Sequence, residues 1–213
     1  FYYFLIVKVM SATNTIETLN YIYKSRKILL QHASTQGFNI SDYDDECLEE
    51  IYEMADNSQL DMLLTNDDTN QKMYIRYYLN SSVRKEYIYN IHDDLYGEGI
   101  LSPNDILIIV ITSNINESLR NILKIMYAKH GILIIVRNIR HLQFNIFSVC
   151  DVSPHRILSD EEVNQVKKRY NLELNQLPKI SRFDPPVESL CIRPGQVCEI
   201  LRNSDTSINN TFY

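Results

Sequence analysis

The sequence predicts two units: an α/β domain over residues 10–145 and a small α+β domain over residues 146–213. Three observations carry this. Two apolar, β-branched runs, 106–111 and 132–136, flank an amphipathic helical stretch, the pattern of parallel strands buried on both faces and joined by a right-handed crossover. Beyond residue 145 that pattern stops, and short elements punctuated by proline replace it. A chain of 213 residues has room for one ordinary domain and one small one.

Taken in order, residues 15–36 predict a helix, with Leu19, Ile22, Tyr23, Leu30 and Ala33 at helical spacing and Gly37 as its stop. Ser41 and Asp44, at capping-box spacing, predict a second helix with Leu48, Ile51 and Tyr52 on its inner face. Residues 60–65 and 73–79 read as strands joined by the turn-forming run 66–70. Val83, Tyr87, Ile91 and Leu95 recur every four residues, which predicts a helix over 83–95. Residues 115–129 follow as a helix with Leu119, Ile122, Leu123 and Met126 inward, ending near Gly131.

In the second unit, Ser159 and Glu162 form a capping box for a helix over 159–170. Three proline-marked breaks follow, at Pro178, at Pro185-Pro186 and at Pro194-Gly195. Residues 197–201 read as a strand, 204–207 as a turn and 209–213 as the start of a partner strand. The expected result is a mixed sheet with the 159–170 helix packed on it. A unit this small gains stability by packing against something larger, which hints at an assembly module.

Residues 1–9 are too short an apolar run to span a bilayer, which takes about 20 residues, and no membrane role is expected. Met10 reads as the start, with 1–9 as translated upstream sequence. The 27 Ile and 20 Asn against 4 Ala and 5 Gly point to an AT-rich gene, as in some protists and some large DNA viruses.

Charge and motif content narrow the chemistry. A net charge of -6 argues against unaided gripping of nucleic acid. The four cysteines have no CxxC spacing, no His pair has helical metal-site spacing, and no glycine-rich phosphate loop occurs, so no cofactor or metal is expected. Asp61 is placed in a strand, where a nuclease would carry one of its acids. The next strand supplies neither a second carboxylate nor a lysine, so a stand-alone endonuclease-like DNA enzyme is only the alternative reading. Lys167-Lys168-Arg169 and the acidic stretch 42–53 read as solvated helix faces. The proline-rich stretch 177–202 reads as a rigid docking surface built from turns.

Five blocks in that second unit form a recognisable series. They are Pro154-His155 through Ser159-Asp160-Glu161-Glu162, Asn175-Gln176-Leu177-Pro178-Lys179-Ile180, Asp184-Pro185, Ile192-Arg193-Pro194-Gly195-Gln196-Val197, and Arg202-Asn203-Ser204-Asp205-Thr206. The series resembles the C-terminal domain of the fifth common subunit of eukaryotic RNA polymerases, which has a homologue in the archaeal polymerase that lacks the N-terminal part. Tyr23-Lys24-Ser25-Arg26-Lys27 and Gly37-Phe38 resemble the first helix of the eukaryotic form. Two departures stand out: Thr112-Ser113-Asn114-Ile115 replaces a T-P-S-A-like motif, and the final strand looks truncated after Tyr213.

The resemblance implies a non-catalytic subunit of a multisubunit DNA-directed RNA polymerase, with catalysis in the two largest subunits. The N-terminal unit would be a jaw with a restriction-endonuclease-like fold lacking catalysis, lying along downstream duplex DNA within the complex. The C-terminal unit would dock on the largest subunit, beside other polymerase subunits. Its candidate contacts are His155, Leu177, Pro178, Ile180, Asp184, Pro185, Val187, Pro194, Gly195 and Arg202. Thr112, Ser113 and Asn114 would lie nearest DNA. The implied location is the nucleus, or host cytoplasm and virion for a viral polymerase. A non-polymerase adaptor carrying the same domain is a further alternative.

Overall fold

The computed structural model of the chain describes residues 2–79, 83–204 and 207–213. They form two compact units, Phe1–Phe144 and Asn145–Tyr213.

The first unit opens with helix α1 (Tyr2–Thr35), which begins well before residue 15 because no Gly or Pro interrupts the preceding run. Ile22, Leu29, Leu30 and Ala33 are buried along it. Helix α2 (Leu48–Asp56) starts later than the Ser41 cap predicts. Residues 41–45 instead turn, with Asn39 Oδ1 accepting the Ser41 N–H at 3.0 Å. Cys47 is the cap, and its N–H donates to Glu50 Oε2 at 2.8 Å. Ile51 alone of the expected inner face is buried; Leu48 and Tyr52 are 44% and 50% exposed.

Four strands form a sheet in the order β1-β2-β3-β4. β1 (Met62–Thr65) pairs antiparallel with β2 (Lys72–Tyr78) across a turn held by Asn66, whose Oδ1 accepts the N–H groups of Asp68 and Thr69. β2, β3 (Ile106–Ile111) and β4 (Leu133–Asn138) run parallel. The connections are α3 (Lys85–His92), prolonged by a π turn over Asp93–Gly97, and α4 (Glu117–His130). Every residue of β3 and β4 is buried, which is why both read as unbroken apolar runs. Asn116 caps α4 through Leu119 N–H at 2.8 Å, and Gly131 ends it with φ of 70°, a left-handed conformation that costs glycine nothing.

The second unit has strands β5 (His155–Ile157), β6 (Cys198–Ser204) and β7 (Ser207–Phe212), with helices α5 (Asp160–Tyr170) and α6 (Pro185–Ser189). The sheet order is β5-β6-β7, and both described pairings are antiparallel where a mixed sheet was expected. The short β6–β7 connection forces that direction for one pair, since a parallel crossover needs a dozen or more residues. The Ser159 capping box opens α5 as expected, and Asn171 closes it in the left-handed conformation. The break at Asp184-Pro185-Pro186 is a helix start: Pro185 occupies the first turn, where a missing N–H costs nothing.

Two apolar clusters hold this unit. Val187, Ile192, Cys198 and Ile200 pack with Ile157 and Leu190, joining α6 to the sheet. Leu158, Val166 and Val197 pack with Val163, Leu177 and Tyr213, joining α5 to it. Alternation along β6 sends Cys198 and Ile200 to one face and Glu199 to the other.

Candidate assembly surface of the C-terminal unit

The ten residues expected to contact a partner fall into three environments. Pro178, Ile180, Pro185, Pro194, Gly195 and Arg202 are exposed. His155, Leu177 and Asp184 are half-buried. Val187 is 2% exposed and belongs to the α6 cluster, so it is a core residue and leaves the set of contacts. Its place follows from α6 being a helix: one turn packs its apolar side inward, where a plain turn would have left it outside.

Local geometry fixes the exposed members. Arg193 O accepts the Gln196 N–H at 3.1 Å, closing a turn over residues 193–196. Pro194 and Gly195 occupy its centre, with Gly195 at φ of 99°, the arrangement a type II turn demands. Leu177 packs under α5. Pro178 and Ile180 therefore emerge from a segment whose root is held, and Ile180 is 40% exposed. Arg202 on β6 places its guanidinium 5.3 Å from the Phe212 ring of β7. His155 Nδ1 lies 2.6 Å from Ser153 O, which orients the ring at the start of β5.

One residue that sequence reasoning missed organises the other side of the sheet. Arg156 reaches Glu199 Oε2 with Nε at 3.0 Å and Nη2 at 2.9 Å, and Glu162 Oε1 with Nη1 at 2.7 Å. It thereby ties β5, β6 and α5 together. The Ser159 N–H and Arg156 hold the Glu162 carboxyl below its ordinary value, in that order of effect. The signal was available as the Arg156-to-Glu162 spacing, but only the strand pairing brings Glu199 opposite Arg156.

In the first unit, Thr112, Ser113 and Asn114 lie in the loop after β3, at the carboxyl end of the parallel strands. The Asn138 side-chain amide donates to Thr112 O at 3.3 Å, Ser113 O at 3.1 Å and Asn114 Oδ1 at 3.0 Å. The loop is shaped by β4, not by the proline it lacks. Asp61 precedes β1 instead of lying in a strand. Its Oδ2 accepts the Tyr74 hydroxyl at 2.9 Å and lies 3.6 Å from Arg76 Nε, while its Oδ1 accepts the Tyr77 N–H at 3.1 Å. Among the described residues, no three His, Cys, Asp or Glu side chains gather as a metal site.

Comparison with known proteins places the similarity in the second unit. The family described as "RNA polymerase Rpb5, C-terminal domain" matches residues 144–213. DNA-directed RNA polymerase subunit Rpo5 of Thermococcus kodakarensis is 46% identical over 65 residues, covering 30% of this chain and 79% of that protein. The Rpo5 of Pyrococcus abyssi is 43% identical over 65 residues, with the same two coverages of 30% and 79%. The Rpo5 of Methanocaldococcus jannaschii is 39% identical over 56 residues, covering 26% of this chain and 72% of that protein. Since 65 residues make up 79% of the Thermococcus protein, it has no room for a counterpart of residues 1–144.

Proposed function

Because the chain belongs to the Rpb5/Rpo5 family of DNA-directed RNA polymerase subunits, we propose that it is an accessory subunit that docks on the largest subunit through residues 145–213. One observation carries this reading: the family match coincides with one compact unit, and the archaeal relatives consist of little else. Membership of the polymerase travels with that unit. Pro178, Ile180, Pro185, Pro194, Gly195 and Arg202 form the docking surface, with His155, Leu177 and Asp184 supporting it. Turns already fixed by proline and glycine lose little freedom on binding, so their contacts are retained as affinity.

The first unit is the jaw, with a nuclease-like fold that has lost its acids, and it lies along downstream duplex DNA inside the assembly. The Thr112–Asn114 loop at the carboxyl end of the parallel strands is its DNA-proximal point. Nucleotide addition belongs to the two largest subunits. The engagement of both Asp61 oxygens by Tyr74, Tyr77 and Arg76 supports a structural role for that carboxylate. The chain works wherever its polymerase does, in the nucleus or, for a viral enzyme, in host cytoplasm and virion.

The test is affinity capture with two tagged fragments, residues 145–213 and residues 10–144. The C-terminal fragment is expected to retain the largest polymerase subunit, and its Ile180→Asp variant to lose it at least tenfold. Retention by the N-terminal fragment alone would reverse the assignment of roles.

A further inference from the structure

The first unit carries a second feature that the polymerase reading does not use. Between Asp42 and Asp68 the chain has eleven Asp and Glu, and from residue 28 to residue 71 it has no Lys or Arg. The structure folds this segment into two adjoining depressions that share Glu46. One, of about 270 Å³, is predominantly apolar and lies between α1 and the loop before α2; Tyr23, Leu30, Ile40, Tyr43 and Ile51 line it. The other, of about 470 Å³, is polar and lined by Asp42, Asp45, Glu50 and Glu53, with Met54 at its edge.

The wall between them is fixed in place by an ion pair. Glu46 is held by the buried Arg26, with Nε to Oε2 at 2.8 Å and Nη2 to Oε1 at 2.7 Å. That pairing neutralises one acid of the segment, and Lys27, which also lines the apolar depression, faces Asp44 and Asp45; Asp42, Glu50 and Glu53 are left to set the field. No hydrogen bond or ion pair joins the Asp42 or Glu53 carboxylates to a described residue. Leu48 and Tyr52, one turn apart on α2, add exposed apolar surface beside the acids.

We propose that this face docks a basic segment of a partner protein, one large apolar side chain entering the 270 Å³ cavity and flanking Lys or Arg side chains lying along Asp42, Asp45, Glu50 and Glu53. Volume and charge choose this occupant. A cavity of roughly 150 Å³ accepts a single benzene ring, so the depression of about 270 Å³ has room for one large apolar side chain. Duplex DNA is repelled by a run of carboxylates without a basic residue, whereas a cationic peptide is steered in by the same field. Interfaces of this kind draw their strength from a central apolar contact with a charged rim that sets specificity.

The experiment uses the full chain to select from a displayed random peptide library, then measures an enriched, labelled peptide by fluorescence anisotropy. The expected winners carry one aromatic or long aliphatic residue beside two or more Lys or Arg. Their affinity should fall at least tenfold against Glu50→Lys/Glu53→Lys. It should fall as much against Ser34→Trp, which fills the cavity from the exposed face of α1. Raising NaCl from about 50 to about 300 mM should weaken binding at least threefold. Because Glu50 also accepts the Cys47 N–H at the start of α2, Glu53→Lys alone, a surface change that leaves this cap intact, should weaken binding at least threefold with an unchanged circular dichroism spectrum. Winners without basic residues, affinity unmoved by either variant, or displacement by magnesium beyond that of sodium at equal ionic strength would each overturn the proposal. Capture of the largest subunit by residues 145–213 is scored separately, so either reading can fail without the other.

Discussion

Arg26 is 1% exposed in the middle of α1, and its charge is answered by Glu46 while Nη1 also donates to Leu60 O. A buried ion pair need not stabilise a fold, because desolvation offsets most of the attraction, but breaking one strands its partner. Arg26→Met should therefore cost on the order of 3 kcal/mol, read as a lower urea midpoint. The double variant Arg26→Met/Glu46→Leu should recover most of that loss, since neither charge is then left alone. Tyr74 and Tyr87 give a second prediction. Burial first, and for Tyr74 the Asp61 carboxylate next, pushes each hydroxyl from 10.0 up to about 12. The folded chain thus holds protons that the unfolded chain has released between those values. Their stabilisation is complete below pH 10 and is lost as pH rises through 12. The urea midpoint should be level up to about pH 9 and fall above 10, and Tyr87→Phe should flatten that fall. A midpoint independent of pH in this range would refute the argument.

At the scale of elements, α5 and α6 differ in how they are secured. α5 depends on a polar start, with Ser159 Oγ accepting the Glu162 N–H and the Ser159 N–H donating to Glu162 Oε2. Ser159→Ala should cost about 1 kcal/mol in the unfolding of the C-terminal unit, the usual worth of such a cap. α6 is a single turn held by what it buries. Val187→Ala should cost about 2 kcal/mol by leaving a cavity, without touching the docking surface directly. Ile180→Ser should shift stability by less than about 0.5 kcal/mol yet weaken capture of the largest subunit. That contrast between Val187 and Ile180 also marks what could be read in advance. Both are β-branched residues near prolines, and composition alone places neither inside nor out. β3 and α4 were legible because burial on both faces and a 3.6-residue period leave strong traces in residue order. α6 and β5 were not, because five and three residues are too few to display a period. The α2 boundary was missed for another reason: Ser41 has cap chemistry, but the Asn39 side chain captures its N–H in a turn first. At the proposed docking surface, the exposed prolines and glycine could be named from sequence, whereas the Arg156 link needed the β5–β6 register.

Over the whole molecule, charge is divided unevenly. Outside residues 42–68, the Phe1–Phe144 unit has thirteen Lys and Arg against seven Asp and Glu, while residues 42–68 hold eleven acids and no base. In the assembly proposed above, the cationic remainder of the first unit would face DNA and its acidic segment protein, although the net charge of the chain is -6. The purified chain is expected to leave duplex and branched DNA intact with magnesium or manganese present. Cleavage that disappears in Asp61→Ala would restore the nuclease alternative.

The two units also lie in a fixed order along the chain, and order along a chain becomes order in time. A ribosome adds roughly 5–20 residues per second, so the 69 residues from Asn145 to Tyr213 take several seconds to follow Phe1–Phe144. The β2-β3-β4 sheet closes through non-local parallel pairings, a class of contact that forms late because loop closure comes first. On the proposed docking through residues 145–213, that sheet has a head start before a polymerase subunit can seize the chain, and timing guards against capture of a half-folded first unit.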